Sequence, residues 1–101
     1  MTDRTELQKT LEHILGTRNV YFQPPALVKI KYPAIVYSRS KIENTHADNA
    51  VYRQGNQYEL IVIDPDPDSE IVRKVSRLPK CRYDRHYVAD NLNHDVFTLC
   101  L

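Results

Sequence analysis

The pattern of apolar and polar positions centres on one stretch in the middle of the chain. Residues 58–63 form a mostly apolar, β-branched run, which is typical of a buried strand. Residues 64–68 contain two prolines and three aspartates and exclude both strand and helix, so the chain must turn there. An apolar stripe at helical spacing follows: Ile71, Val72, Val75 and Leu78. The pattern predicts a helix over residues 69–77, stopped by Pro79, whose stripe lies on the sheet that contains the strand.

A second helix is predicted at the start of the chain. Asp3 and Glu6 have the spacing of a capping box, and Gly16 is a natural stop. The apolar residues between them fall on one stripe: Leu7, Leu11, Ile14 and Leu15. We therefore expect an amphipathic helix that packs on the same sheet.

The segment after this helix predicts a short strand and an irregular loop. Residues 19–22 have strand character, but residues 23–25, Gln-Pro-Pro, interrupt it and leave an exposed segment that carries aromatic residues. This segment is a candidate for contact with a partner, although the pattern slightly favours a packed connector.

Two hairpins complete the predicted sheet. Residues 33–42 begin as a buried strand and become alternating and polar, and residues 51–58 return toward the core, with Gly55 as the place for a bulge. This pattern predicts a long hairpin that protrudes as an arm. Near the C-terminus, residues 81–88 alternate, residues 89–95 read as a polar turn, and residues 96–101 form a last strand inside the sheet.

In the last hairpin, the alternation places four residues on one face: Cys81, Tyr83, Arg85 and Tyr87.

The order of elements predicts an α+β fold with a mainly antiparallel β-sheet, a long protruding hairpin and two helices packed on one face. At 101 residues the chain is expected to be a single domain, residues 1–101, that buries about two thirds of its unfolded surface. A partner surface could therefore add to its stability.

Charge and cysteine content limit the possible functions. The chain has 14 Lys and Arg against 13 Asp and Glu, so no global basic field indicates nucleic acid or an anionic membrane. No apolar run approaches the roughly 20 residues that cross a bilayer, and the N-terminus lacks the apolar core of a signal peptide. We expect a soluble protein made inside the cell, without a membrane partner. Cys81 and Cys100 are too few and too far apart for a disulfide scaffold, and we expect reduced, packed thiols.

Polar residues near the hairpin tips are the main candidate for catalysis. They comprise three histidines and four aspartates: His46, Asp48, Asp84, His86, Asp90, His94 and Asp95. Such side chains bind zinc or iron, and two tips could converge on one ion. However, no histidines have a tight ligand spacing, and Asp or Asn in turns usually accepts bonds from its own backbone. We expect turn capping, no bound metal and no cofactor, and keep a small metal-dependent enzyme as the alternative.

Other catalytic patterns are weaker. Asp64, Asp66 and Asp68 have the alternation of a calcium loop, but the intervening prolines favour a turn that caps a helix. The cysteines have no local signature of a nucleophile, and with only Gly16 and Gly55 there is no phosphate-binding glycine loop. We therefore expect no catalytic residue and no enzyme.

The long hairpin mixes basic and aromatic residues. The contact residues predicted on it are Arg39, Lys41, Tyr52 and Arg53. They could stack on bases, as in a nucleic-acid-binding module, but the balanced charge favours a protein interface.

Four passages carry a resemblance to a known family: residues 32–37, the Ala-Asp-Asn turn at 47–49, residues 58–69, and residues 84–87 with 90–95. They resemble small proteins encoded in the head-to-tail gene region of tailed bacteriophages and prophages, over roughly residues 30–101. The chain is similar to the tail terminator or tail completion group, and a neighbouring head–tail connector role stays open.

The resemblance implies a virion structural protein without catalytic residues. Members of the group have an α+β fold, form hexameric rings, cap the tail tube and join it to the head. The implied partners are further copies of the chain, the tail tube protein, head–tail connector proteins and DNA that passes through the lumen. The implied location is the head–tail interface of the virion, and the host cytoplasm during assembly. The polar turn at residues 89–95 would then be structural or contact a neighbouring subunit.

Overall fold

The computed structural model describes residues 4–25, 27–47 and 50–100, with the backbone alone described for 41–47 and 50–55. Two helices and five strands follow one another along the chain: α1 Arg4–Leu15, β1 Val20–Phe22, β2 Ala34–Ala47, β3 Ala50–Asp64, α2 Glu70–Ser76, β4 Cys81–Ala89 and β5 Leu92–Cys100. The predicted α+β class is confirmed.

The strands form a single mixed sheet in the order β1-β2-β3-β5-β4. The short edge strand β1 runs parallel to β2, and the other three pairs are antiparallel. β5 lies between β3 and β4, so the last strand is inside the sheet as predicted. Two elements, α2 and β4, therefore lie in the sequence between β5 and its neighbour β3.

Both helices cover the same face of the sheet, as predicted. Leu7 and Leu11 of α1 and Val75 of α2 are fully buried, and they belong to one cluster with Leu60 and Phe97 of the sheet. Gly16 follows α1 with a φ of 80°, a left-handed conformation that glycine adopts without strain, and its N–H donates to the Glu12 carbonyl at 2.9 Å. The predicted capping residue Asp3 lies outside the described residues. Among the described residues, no helix is long and apolar enough to span a membrane.

Three aromatic rings pack together where β1, β2 and β3 lie side by side. The Phe22 ring centroid lies 5.0 Å from that of Tyr37 and 6.4 Å from that of Tyr58. The Tyr37 hydroxyl donates to Oε1 of Gln8, and the Gln8 amide donates to the Val20 carbonyl at 3.1 Å. Burial raises the pKa of the Tyr37 phenol, so this hydroxyl stays protonated and able to donate. These contacts fix α1 against the first strands.

The pairing of β2 with β3 runs from Ala34 opposite Ile63 out to Ala47 opposite Ala50. The register shifts between Arg39 and Lys41, and again between Thr45 and His46. Gly55 is paired with Glu43, so the irregularities do not fall at the predicted position. The predicted protrusion of this hairpin as an arm concerns residues whose side chains lie outside the described part, and it stays a prediction.

The C-terminal hairpin differs from its prediction in two ways. Its turn is only Asp90 and Asn91, with φ of 53° and 62°, as a tight two-residue hairpin loop requires. The predicted turn at 89–95 is therefore wrong at both ends, because Ala89 belongs to β4 and 92–95 belong to β5. In addition, a bulge between Tyr83 and Arg85 shifts the register by one residue.

Because of the bulge, the prediction that the four alternating residues of β4 share one face of the sheet is wrong. Tyr83 pairs with the core residue Phe97, whereas Arg85 pairs with Val96, the residue directly before Phe97 in β5. Because neighbouring residues of a strand point to opposite faces, Cys81 and Tyr83 share the helix face, while Arg85 and Tyr87 lie on the other.

Because the helices cover one face of the sheet, truncating two neighbouring residues of β3 should lower the unfolding free energy by unequal amounts. Leu60→Ala removes a fully buried side chain beneath the helices and should cost about 2–5 kcal/mol of unfolding free energy. Ile61→Ala changes the adjacent, half-buried residue on the opposite face and should cost about 1 kcal/mol. Ala34, Ile63 and Val96 are also buried on that opposite face, but they lie outside the main core cluster. Urea unfolding followed by circular dichroism measures both truncations, and equal costs would contradict the placement of the main core beneath the helices.

Candidate functional site

The aspartate-rich turn is built by hydrogen bonds from its own side chains. Asp64, at the end of β3, is buried, and its Oδ1 accepts the Asp66 N–H at 2.8 Å, while its Oδ2 accepts the Ser69 hydroxyl at 2.7 Å. The Ser69 Oγ in turn accepts the Ile71 N–H at 3.2 Å, which caps α2. The Asp66 carboxylate accepts the Asp68 N–H at 2.9 Å. The prediction of a turn that caps a helix is confirmed.

Asn93 links the last hairpin to this turn. Its Nδ2 donates to the carbonyls of Asp64 and Pro65, both at 3.2 Å, and this orients its Oδ1 toward His86 Nε2 at 3.1 Å. An amide oxygen can only accept, so the geometry requires a proton on Nε2 of His86. The contacts of His86 and Asn93 are structural, since they join β4, β5 and the turn after β3.

The two histidines of the last hairpin are separated by the sheet. His86 pairs with Asp95 and lies on the helix face, whereas His94 pairs with Tyr87 on the other face. His94 stacks on the Tyr87 ring, with centroids 4.7 Å apart and planes at 16°, and its Nδ1 lies 3.0 Å from the Leu92 carbonyl. The bond to a carbonyl requires a proton on Nδ1. The two imidazoles therefore cannot bind one ion between them in this arrangement.

The other members of the candidate metal cluster do not join them. Asp84 contacts its neighbour Arg85 at 2.7 Å, and Asp95 accepts the Tyr83 hydroxyl at 3.1 Å. Asp90 lies in the hairpin turn. Among the side chains that the structure describes, no group of three His, Cys, Asp or Glu could hold a metal ion. The side chains of His46 and Asp48 lie outside the described part.

The cysteines are free thiols on opposite faces of the sheet. Cys81 packs against the main core, and Cys100 follows the core residue Leu99, so its side chain points the other way, where Gln57 Nε2 lies 4.0 Å from its sulfur. Burial raises the pKa of the Cys81 thiol to about 11. Cys81 is therefore protonated near neutral pH and unsuited to act as a nucleophile.

Of the predicted contact residues on the long hairpin, Arg39 alone has a described side chain. It is exposed, and its N–H donates to Oε1 of Gln23 at 3.3 Å. Lys41 pairs with Gln57, and Arg53 with Thr45, in the backbone register. Tyr52 falls beside the second register shift. The side chains of Lys41, Tyr52 and Arg53 lie outside the described part, so their role stays a prediction.

The β1–β2 connection exposes apolar side chains, and we call residues 27–33 the apolar loop. Leu27 is 96% exposed, Val28 39% and Tyr32 44%. The sequence predicted an exposed contact segment at residues 23–25, and the exposure extends to residues beyond it. The apolar pattern of the sequence could not predict that Leu27 is exposed, because its position relative to neighbouring apolar residues is also one that a buried residue could have.

The free edge strand β4 is the second exposed surface. Tyr83 is 53% exposed, Tyr87 39% and Val88 62%. A bulge and the charged residues Arg82, Asp84 and Arg85 interrupt its edge, and both features hinder the addition of a further strand. Contacts through this strand would therefore use its side chains rather than its backbone.

Comparison of the chain with protein-family models, with curated proteins and with solved structures finds no match. We therefore infer the function from the chemistry of the surfaces described above and from the sequence passages that resemble the phage family.

The capping network predicts a specific cost at Ser69. Ser69→Ala removes both the helix cap and the donor to the buried Asp64 carboxylate, so it should lower the unfolding free energy by about 1–2 kcal/mol. Ser76→Ala, at the exposed other end of α2, is the matched control and should cost less than about 0.5 kcal/mol. Urea unfolding compares the two variants, and equal stability of wild type and Ser69→Ala would contradict the network.

The raised pKa of Cys81 predicts slow alkylation of the folded protein. In a Cys100→Ser variant, Cys81 should react with iodoacetamide far more slowly in buffer at pH 8 than in urea. Because the thiolate is the reactive form, the rate should rise with pH toward a midpoint of about 11. Fast labelling of the folded protein at pH 7, measured by mass spectrometry, would show that the thiol is not protected.

Proposed function

We propose that this chain is a virion structural protein of the head–tail junction of a tailed phage or prophage, of the tail terminator or tail completion type. In this role, copies of the chain form a hexameric ring that caps the tail tube and joins it to the head. The protein is assembled in the host cytoplasm and stays at the head–tail interface of the virion.

The observation that carries the proposal is the structural role of polar residues in the passages that resemble the phage family. Asp64, Ser69 and Asn93 lie in those passages, and each is hydrogen-bonded within the network that holds α2 and the last hairpin in place. His86 joins the same network through Asn93. These polar residues stabilise a scaffold, which is the use expected of them in an assembly subunit.

The distribution of exposed apolar side chains also supports an assembly role. The apolar loop and β4 expose large apolar residues in two separate parts of the chain, at Leu27 and at Val88. A ring of identical subunits requires two different surfaces on each copy, one for each neighbour. A small domain that offers two such surfaces fits this requirement.

The proposed partners are further copies of the chain, the tail tube protein and the head–tail connector proteins. Arg39, Lys41, Tyr52 and Arg53 are proposed to contact a neighbouring copy or DNA that passes through the lumen. Arg39 is exposed on β2 and available for either contact.

The alternative of a small metal-dependent enzyme requires the hairpin-tip residues to converge. His86 and His94 lie on opposite faces of the sheet, and this geometry does not favour that alternative. Stoichiometric zinc, manganese or iron in the purified protein, lost in His94→Ala, would support it instead.

Disruption of the gene in the phage or prophage that encodes the chain tests the proposal. Electron microscopy of the lysate should show heads and tails that are not joined, and the purified protein should restore joined particles when added. Arg39→Ala should restore fewer particles than wild type, since arginine side chains often dominate interfaces. Arg18→Ala removes an exposed arginine outside the hairpin and is the matched control. Normally joined virions in the absence of the gene would refute the head–tail role.

A further inference from the structure

The apolar loop combines exposed apolar side chains with two exposed lysines. Leu27, Val28 and Tyr32 are exposed, and Lys29 and Lys31 lie between them in the sequence. Single exposed apolar residues are common on protein surfaces, but several in one short loop indicate a surface that binds another protein. The lysines add a positive charge, so the matching surface should be acidic at its rim.

The loop is held at both ends, which lowers the entropy lost on binding. The Val28 N–H donates to the Pro25 carbonyl at 3.1 Å, and the Lys31 N–H donates to the Tyr21 hydroxyl at 3.3 Å. Asn19 Nδ2 lies 3.5 Å from the Pro33 carbonyl. A surface that is ordered before binding loses less conformational freedom when a partner docks.

An acidic surface of matching charge is present on the same chain. Asp66, Asp68 and Glu70 are all exposed in the turn that leads from β3 into α2. We call these three residues the acidic turn. Ala34 pairs with Ile63, so the loop that precedes β2 and the turn that follows β3 lie at the same end of the sheet.

The two surfaces extend to different sides of that end. The apolar loop connects β2 to the edge strand β1, whereas the acidic turn leads from the central strand β3 into α2 and on toward β4. Among the described side chains, Lys29 and Lys31 form no ion pair with the acidic turn of their own chain. Glu70 has an ion-pair partner on its own helix, Arg73, at 4.0 Å, and both side chains are largely exposed. Each copy therefore presents one basic and one acidic surface to other copies.

We propose that the apolar loop of one copy docks against the acidic turn of a second copy, with Lys29 and Lys31 facing Asp68 and Glu70. Leu27 and Val28 are the apolar centre of this contact, and the charges form its rim. The contact is head-to-tail, since each copy uses its loop toward one neighbour and its turn toward the other. This inference rests on the proposed function, because it names a contact by which copies of an assembly subunit join.

Charge exchange tests the contact. Mass in solution, measured by light scattering over a range of protein and salt concentrations, should rise with concentration for wild type and fall with salt. Lys29→Glu with Lys31→Glu should raise the concentration needed for association by at least about tenfold, since like charges then face each other. Asp68→Lys with Glu70→Lys should have the same effect. All four changes in one chain should restore association, because the opposite charges face each other again.

Two further variants separate this contact from general effects. Lys9→Glu with Lys80→Glu changes the net charge equally at two exposed lysines outside both the loop and the acidic turn and should leave association unchanged. Leu27→Asp alters a side chain that is 96% exposed, so the protein should fold normally, as checked by circular dichroism, but should not associate.

Three outcomes would overturn the contact: a wild-type monomer at every concentration, no restoration in the fourfold variant, or an equal effect of the control lysines. Association that none of the loop or turn variants weakens would mean that copies join elsewhere, and the proposed function would stand. Joined virions without the gene would refute the proposed function while leaving the charge-exchange result valid for the isolated protein.

Discussion

The Asp64 carboxylate determines how the two halves of the chain fit together. It terminates the central strand, and its two oxygens hold the turn and the Ser69 cap from which α2 starts. A buried carboxylate without partners would cost free energy, so the burial of Asp64 is tolerable only when the turn closes around it. The position of α2 then places Val75 over the core and directs the chain toward β4. Asn93 attaches the last hairpin to the same turn, so the arrangement of four elements depends on one side chain and its neighbours.

This architecture uses the polar residues inside the fold and leaves apolar ones outside it. His86 is a candidate metal ligand in the sequence but joins Asn93 of the next strand in the structure, whereas the large apolar side chains of Leu27 and Val88 are exposed. An enzyme usually collects polar groups in a cleft. Here, among the described residues, large apolar side chains such as those of Leu27 and Val88 are exposed instead.

Sequence patterns predicted the elements whose burial is periodic. The stripe of α1 and the strand before Asp64 were predicted because helices and strands that cover a core repeat at fixed intervals. The extent of β5 was missed because Asn93 and its neighbours are polar, and their strand conformation comes from pairing with β3 rather than from burial. The bulge near Tyr83 could not be predicted, since an extra residue changes the register without changing composition. The register of β4 and β5 also places His86 and His94 on opposite faces of the sheet, so the geometry of the candidate metal site could not be predicted from the sequence.

The two-residue turn at Asp90 and Asn91 has a consequence for the order of folding. β4 and β5 meet across a very short loop, so their pairing closes at little entropic cost and can form early. The pairing of β5 with β3 must instead enclose α2 and the whole of β4, which makes it a slower, non-local step. The C-terminal hairpin would thus be present as a unit before it docks beside Leu60, and the central position of β5 would be reached last. A nascent chain that does not yet include β5 could not complete the sheet.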